Sequence, residues 1–115
     1  MKIDIENKQN GALLNLEGKV IGDSVTKLKQ TIDELLASGI NWLIINLAEV
    51  PLIDSSALGV IIMAFLKLKE KNGKLILLYA KKNIIDILNI TKLNTLFEIH
   101  DNIQTALASV GIDSY

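Results

Sequence analysis

Apolar and polar residues alternate at the start of the chain, which is the pattern of strands with one buried face. Ile3 and Ile5 alternate with charged residues, and the apolar pattern resumes over residues 12–16 after a short polar stretch. The Asn10-Gly11 pair in that stretch favours a tight hairpin turn. The chain is therefore predicted to open with two antiparallel strands.

A helix and a buried strand are predicted next. Asp23 is predicted to cap the helix, and the Ser38-Gly39 pair is predicted to end it. Residues 41–47 are apolar almost without interruption, which is typical of a strand covered on both faces. The apolar residues at helical spacing inside the helix are Val25, Leu28, Ile32, Leu35 and Leu36.

The rest of the chain repeats this alternation of helix and strand. A helix is predicted over residues 56–71, ended by Asn72-Gly73, and a buried strand over 74–80. A short helix is predicted from Asn83 and an edge strand over 96–100. Asp101 is predicted to cap a last helix that ends near Gly111. The order β-β-α-β-α-β-α-β-α requires right-handed crossovers between parallel strands. We therefore predict one α/β domain over residues 1–115, with a mixed, mainly parallel sheet of about five strands and about four helices.

Composition narrows the range of functions. Half of the residues are hydrophobic but only 4% are aromatic, so the core is predicted to be aliphatic. The net charge is -1, and without a basic stripe we expect no nucleic acid partner. The chain has no cysteine, and its longest uncharged apolar run, residues 60–66, is far shorter than the roughly 20 residues that span a bilayer. These features predict a cytoplasmic protein that does not enter a membrane.

The segment VPLIDSSALGVII, residues 50–62, contains the strongest candidates for functional residues. Pro51 cannot donate to a sheet ladder and holds the preceding residue in an extended conformation, so it interrupts the strand pattern. Ser55 is predicted to be the N-cap of the next helix, with its oxygen accepting a hydrogen bond from the amide of Ala57 or Leu58. A helix cap is the simplest interpretation of this serine.

The helix after Ser55 carries two apolar stripes, and only one of them can face the sheet. The stripe predicted to face the sheet consists of Leu58, Ile61, Ile62, Phe65 and Leu66. The second stripe consists of Val60, Met63, Ala64 and Lys67. Two interpretations remain open: the first helix covers the second stripe, or the stripe stays exposed as a surface on which a partner docks.

A phosphate on Ser55 would be compatible with the fold and unfavourable for a docked partner. The N-terminus of a helix stabilises negative charge through its free amides and its dipole. A partner over this corner would meet roughly 1.5 to 2 additional negative charges. A loss of about 2 to 3 kcal/mol would weaken binding by about thirty- to a hundredfold or more. Phosphorylation of Ser55 would therefore work as a switch without a large conformational change.

The segment LIINLAEVPLIDSSALGVIIMAFLKLKEKNGKLILL resembles the central part of the anti-sigma factor antagonists, a STAS-domain family. In that family a strand leads into an Asp-Ser-(Ser/Thr)-Gly-Leu-Gly segment whose first serine is phosphorylated by a partner kinase. The residues that match this segment are Asp54, Ser55, Ser56, Leu58 and Gly59, and the phosphorylated serine corresponds to Ser55. The stretches LLNLEG and LFEIHDNIQTAL are also similar to the family, so the resemblance covers nearly the whole chain.

Two positions depart from the family pattern. Ala57 stands where the family most often has glycine, a change that favours helix formation. The Lys19-Val20-Ile21 segment stands where many members have Glu-Leu-Asp, in a loop at the partner-facing edge, which implies a non-standard partner. Together with the second stripe, this loop provides the expected partner-binding residues, which are Lys19, Ile21, Asp23, Val60, Met63, Ala64 and Lys67.

The resemblance implies an anti-sigma factor antagonist with no catalytic activity of its own. The unphosphorylated form would bind an anti-sigma factor that is also a serine protein kinase and so release a sigma factor. Phosphorylation of Ser55 would end this binding, and a phosphatase would restore it. ATP would belong to the kinase, so we expect neither a cofactor nor a metal in this chain, which would be a monomer or a weak dimer.

Two alternative functions remain, one a different binding role and the other an enzymatic role. A STAS-type scaffold or transport-accessory subunit would keep the fold but make permanent contacts, with Ser55 only a cap. An enzyme with Ser55 as nucleophile would need a base, and the chain offers only His100, without a G-x-S-x-G segment around the serine. His100 is better interpreted as an ordinary surface residue, and one histidine with scattered carboxylates predicts no metal site.

Overall fold

A computed structural model describes residues 1–113 as a five-stranded mixed sheet with four α-helices. The elements are β1 (Lys2–Lys8), β2 (Gly11–Glu17), α1 (Asp23–Ala37), β3 (Trp42–Glu49), α2 (Ser55–Glu70), β4 (Lys74–Leu78), α3 (Lys82–Ile90), a 3-10 turn (Leu93–Thr95), β5 (Glu98–His100) and α4 (Ile103–Ser109). This order confirms the predicted single α/β domain with a mainly parallel sheet.

The strands lie in the sheet in their sequence order, β1-β2-β3-β4-β5. β1 pairs with β2 in antiparallel orientation, and every other neighbouring pair is parallel. β3 is central, and its nearly continuous apolar run is buried because both faces of the sheet are covered. β5 has only three residues and lies at the edge, as predicted.

The helices cover the two faces of the sheet unequally. Residues of α1, α2 and α3 belong to the larger core on one face, whereas the short α4 packs on the other face. Trp42 is buried in the cluster under α4, and its Nε1 donates a hydrogen bond to the carbonyl of Gln9 at 2.9 Å. Gly11 is required beside this ring, because a Cβ there would lie 2.1 Å from the indole.

The hairpin between β1 and β2 differs in detail from the prediction. Its two loop residues are Gln9 and Asn10, since Gly11 already pairs with Lys8. Asn10 has a φ of 63°, a left-handed conformation that asparagine tolerates better than most residues. The glycine is therefore needed for the close approach of the Trp42 ring and not for the turn.

The predicted N-caps of α1 and α4 are both wrong by one residue. Asp23 is the first residue of α1, and Gly22 precedes it as N-cap with a φ of 56°, a conformation that favours glycine. Asn102, and not Asp101, caps α4, where its side-chain oxygen accepts hydrogen bonds from two amides of the first turn. Asp101 and Asn102 offer equivalent capping oxygens, and the backbone path selects Asn102; at α1 the positive φ of the cap position favours glycine over a side-chain cap.

α2 presents a different face to the sheet from the one predicted. Its buried residues are Ala57, Ile61, Ala64 and Leu68. Leu66, predicted to face the sheet, is instead 45% exposed, and Phe65 is half-buried. Because both stripes of this helix are apolar, hydropathy alone does not determine its rotation about its own axis.

α1 lies beside α2 and covers part of the second stripe. Ala64 is buried and Val60 is half-buried, whereas Met63 is 54% exposed. The first helix therefore covers part of the second stripe, and the rest of the stripe stays exposed. The packing of α1 leaves a groove open between the two helices.

Candidate phosphorylation and docking site

The loop between β2 and α1 is attached to the loop between β3 and α2. Val20 forms an isolated parallel bridge with Ile53. The amide of Val20 donates to the carbonyl of Leu52 at 2.9 Å, and the amide of Asp54 donates to the carbonyl of Val20 at 3.3 Å. These bonds extend the sheet beyond β2 and β3 and fix the position of the residues at the start of α2.

Asp54 is the N-cap of α2, so the prediction that Ser55 caps this helix is wrong. The Asp54 backbone is extended, and its Oδ1 accepts a hydrogen bond from the amide of Ala57 at 2.8 Å. Its Oδ2 accepts a second bond from the amide of Gly22 at 3.3 Å. One carboxylate therefore joins the start of α2 to the residue before α1.

Hydrogen bonding keeps Asp54 ionised. The amide of Ala57 makes the largest contribution and the hydroxyl of Ser56 the next, and together they lower the pKa of the Asp54 carboxyl. Slight desolvation opposes this effect but does not reverse it. The corner therefore carries a fixed negative charge beside the two serines at neutral pH.

The two serines at the start of α2 differ in their hydrogen bonding. Ser56 Oγ donates to Asp54 Oδ1 at 2.7 Å. Ser55 is exposed, and within residues 1–113 its hydroxyl makes no hydrogen bond. Among the other hydroxyl side chains of this range, only that of Thr26, on α1, is equally unbonded. Ser55 is thus an accessible hydroxyl at a helix N-terminus that contributes no bond to the fold.

A groove of about 440 Å³ runs between α1 and α2 and begins beside the serines. Its lining residues are Lys29, Ile32, Asp33, Leu36, Ser56, Gly59, Val60, Met63, Ala64 and Lys67. The floor is mainly apolar, and charged groups stand on the rim. Lys29 Nζ lies 2.7 Å from Asp33 Oδ2, and this hydrogen bond lowers the pKa of Asp33. Lys67 Nζ lies 3.8 Å from the other carboxylate oxygen of Asp33, Oδ1.

The structure brings together most of the residues expected to bind a partner. The second stripe, Val60, Met63, Ala64 and Lys67, lines the groove, although buried Ala64 contributes only to its floor. Lys19, Ile21 and Asp23 are exposed in the neighbouring loop and at the start of α1.

Sequence reasoning missed the α1 side of the groove and one exposed leucine. Lys29, Ile32, Asp33 and Leu36 recur at helical spacing along α1, but the pattern did not indicate that they would face α2. Leu52 is 41% exposed and precedes the bridged Ile53, so it adds apolar surface to the same corner. The signal available in the sequence was the position of Leu52 directly after Pro51, where the strand pattern is interrupted.

His100 lies in a separate polar network at the edge of the sheet. Its Nδ1 is 2.9 Å from Thr105 Oγ1, and its Nε2 is 3.1 Å from Glu98 Oε1. Both ring nitrogens therefore face partners other than Ser55. Residues 1–113 contain no group of three or more histidine, cysteine or acidic side chains that could hold a metal, and no helix long and apolar enough to cross a membrane.

The fold and the capped, serine-bearing start of α2 define a STAS-type domain. The model of the STAS domain family matches residues 2–106, and the chain belongs to this family. It is 33% identical over 82 residues to a Thermotoga neapolitana protein named as a candidate anti-sigma factor antagonist, covering 71% of this chain and 73% of the relative.

Solved structures share the whole fold. A candidate anti-sigma factor antagonist from Thermotoga maritima superposes with a TM-score of 0.88 at 24% identity, covering 94% of this chain and 93% of that one. The anti-sigma factor antagonist SpoIIAA in its unphosphorylated form superposes with a TM-score of 0.80 at 18% identity, covering 96% of this chain and 100% of that one. At these identities the likeness establishes the fold.

Proposed function

We propose that this chain is an anti-sigma factor antagonist that works by partner switching and has no catalytic activity. Its unphosphorylated form binds an anti-sigma factor that is also a serine kinase, and this binding releases a sigma factor. The observation that carries the proposal is Ser55, an exposed and unbonded hydroxyl at the start of the helix that lines the groove. The name of the Thermotoga neapolitana relative supports the same assignment.

The partner contacts two adjoining surfaces in this proposal. One is the groove side of α2, formed by Val60, Met63, Ala64 and Lys67. The other is the corner formed by Lys19, Ile21 and Asp23, which the bridge between Val20 and Ile53 holds beside the start of α2. The exposed apolar side chains of both surfaces provide area for docking. Because sigma factors act on RNA polymerase, we place this single-domain chain, residues 1–115, in the cytoplasm.

Phosphorylation ends the binding by charge and desolvation. The kinase transfers the γ-phosphoryl group of ATP to Ser55 Oγ, ADP leaves, and the serine proton passes to a base of the kinase. The phosphate adds roughly 1.5 to 2 negative charges beside the ionised Asp54 carboxylate. A partner packed over this corner would then have to desolvate two adjacent anions, which is unfavourable. Hydrolysis by a phosphatase returns the binding form.

The direct test incubates the purified chain and ATP with each purified anti-sigma factor of the serine kinase type that the same genome encodes. We expect one phosphate per chain, mapped to Ser55 by mass spectrometry, and none on Ser55→Ala. Thr26→Ala is the matched control, because it removes the other exposed and unbonded hydroxyl and should still accept the phosphate.

The binding half of the proposal is tested with Ser55→Asp. This variant should bind the unmodified kinase at least about thirtyfold more weakly than the wild-type chain, by calorimetric titration. Equal binding by Ser55→Asp and the wild-type chain would contradict the switch and favour a permanent scaffold or transport-accessory subunit.

A further inference from the structure

Two adjacent hydroxyls stand at the start of α2, and the fold treats them differently. Ser56 Oγ donates to Asp54 Oδ1 at 2.7 Å, while Ser55 Oγ has no hydrogen bond within residues 1–113. The same Asp54 oxygen also accepts the amide of Ala57 at 2.8 Å, so the bond to Ser56 is part of the helix cap. A kinase at this corner therefore meets one free and one engaged hydroxyl.

We infer that the Asp54 carboxylate selects Ser55 over Ser56 as the acceptor of the phosphoryl group. This inference rests on the proposed function, and it assigns Asp54 the role of a positioning residue. Asp54 does not take up the proton of Ser55, because its Oδ1 already serves Ser56 and Ala57 and its Oδ2 faces Gly22. Its influence on the reaction is to make one of the two possible products unfavourable.

A phosphate on Ser56 would conflict with the cap. The proton that Asp54 accepts from Ser56 would be replaced by an anionic group within contact distance of the same carboxylate oxygen. The two anions repel each other, so Asp54 would have to leave the amides of Ala57 and Gly22. The helix would lose its N-cap, and α1 would lose its link to the start of α2.

The surroundings of Ser56 also make a phosphate on this residue unfavourable. Ser56 lines the groove between α1 and α2 together with Val60 and Met63, whereas Ser55 is not part of the lining. A phosphate on Ser56 would therefore place its charge and hydration next to an apolar floor. Within residues 1–113 Ser55 Oγ makes no hydrogen bond to Asp54 and is not in the groove lining, so a phosphate on Ser55 replaces no bond of the cap and adds no charge to the apolar floor.

The test compares two phosphoproteins made without any kinase, by genetically encoded incorporation of phosphoserine at position 55 or at position 56 of the full chain. Melting temperatures are measured by circular dichroism. We expect phosphorylation at position 55 to leave the melting temperature within about 2 °C of the wild-type chain. Phosphorylation at position 56 should lower it by about 4–8 °C, the effect of losing one helix cap in a domain of this size.

The Asp54→Asn variant tests whether the Asp54 carboxylate causes the loss of stability on phosphorylation at position 56. Asparagine keeps a capping oxygen but removes the charge, so phosphorylation at position 56 should cost less than half as much in this background. Equal melting temperatures of the two phosphoproteins, or an unchanged penalty in Asp54→Asn, would overturn the inference. Neither of these melting experiments uses a kinase. Failure of the proposed function would instead appear as no phosphate on Ser55 after incubation with kinase and ATP, so the two failures can be told apart.

Discussion

The starts of α2 and α4 have the same construction and different hydrogen bonding. Each helix follows a strand of the parallel part of the sheet and is capped by an Asx side chain, Asp54 in α2 and Asn102 in α4. In α4 the first-turn hydroxyl of Thr105 donates to the carbonyl of Asn102 at 2.9 Å and also contacts His100. In α2 the hydroxyl of Ser55 makes no hydrogen bond to any of residues 1–113.

The polar groups near α4 form a closed network. Glu98 accepts a hydrogen bond from Ser109 Oγ at 2.5 Å and contacts His100 Nε2 at 3.1 Å and Lys74 Nζ at 3.0 Å. Partial burial is the largest single influence and opposes ionisation, yet the three donors together lower the pKa of Glu98 to about 2. These bonds tie α4 to the last two strands.

Hydrogen bonding separates a structural hydroxyl from one that is available for modification. A capped helix with a hydroxyl in its first turn occurs at both places, so that pattern alone does not indicate a switch. At α4 the hydroxyl is engaged by the fold, and at α2 it is free beside an open groove.

The largest effect is expected for partner binding when a charge is added at each helix start. Ser55→Asp should weaken binding to the kinase by at least about thirtyfold, because the charge falls inside the contact. Asn102→Asp adds the same charge at α4 and keeps a capping oxygen, so binding should change by less than about threefold. Calorimetric titration measures both. Similar losses in the two variants would mean that net charge, and not its position, controls binding.

Removing each cap should reduce stability by about 1 kcal/mol. Asp54→Ala and Asn102→Ala both leave first-turn amides without their acceptors, and urea unfolding measures the free energy lost. Asp54→Ala should cost more than Asn102→Ala. Each side chain accepts from two amides, but Asp54 is ionised, also accepts from Ser56 Oγ, and reaches the amide of Gly22 outside its own helix. The reverse order would contradict the role of Asp54 as a link between two helices.

A methyl group should stabilise α2 and destabilise the end of α4. Gly59 lies inside α2, and a Cβ added there would meet nothing within 4 Å, so Gly59→Ala should raise the free energy of unfolding by about 0.5–1 kcal/mol. Gly111 has a φ of 85°, where alanine is strained, and Gly111→Ala should lower it. Thermal unfolding of the two variants measures whether each substitution raises or lowers stability. A loss of stability in Gly59→Ala would contradict the expected gain and show that the fold requires glycine at this position of the groove.

The smallest effect concerns acid stability, because Asp54 and Glu98 are both only partly buried. Both pKa values are lower in the folded chain, so each carboxylate stabilises the fold above its ordinary pKa and loses this effect as pH falls through its folded value. For Glu98 the window runs from 4.5 to about 2. Calorimetry across this window should show a shallower decline of melting temperature for Glu98→Gln and, to a lesser extent, for Asp54→Asn. Profiles parallel to that of the wild-type chain would contradict the assignment.

The fold was largely predictable because its periodicities are clear. Alternation over residues 3–16 predicted the hairpin, and the uninterrupted apolar run of β3 predicted a strand covered on both faces. Breaks at Ser38-Gly39 and Asn72-Gly73 marked the ends of α1 and α2, where Gly39 and Asn72 have positive φ. These signals are local, so neighbouring segments do not obscure them.

The candidate site was predictable only in part. The Asp54-Ser55-Ser56 segment stood out because charged and hydroxyl groups interrupt an apolar stretch. Its hydrogen bonds were not predictable, since aspartate and serine are both good caps and stand side by side. The groove was also not predictable, because its α1 wall depends on how two helices pack across the sheet.

Residue type and spacing were enough to predict the order of strands and helices, the aliphatic core and the two adjacent hydroxyls near the start of α2. Tertiary packing made Asp54 the cap, bonded Ser56 to it, and left Ser55 without a hydrogen bond among residues 1–113. The physical reason is that the bridge between Val20 and Ile53 sets the backbone path into α2, and that path directs each side chain.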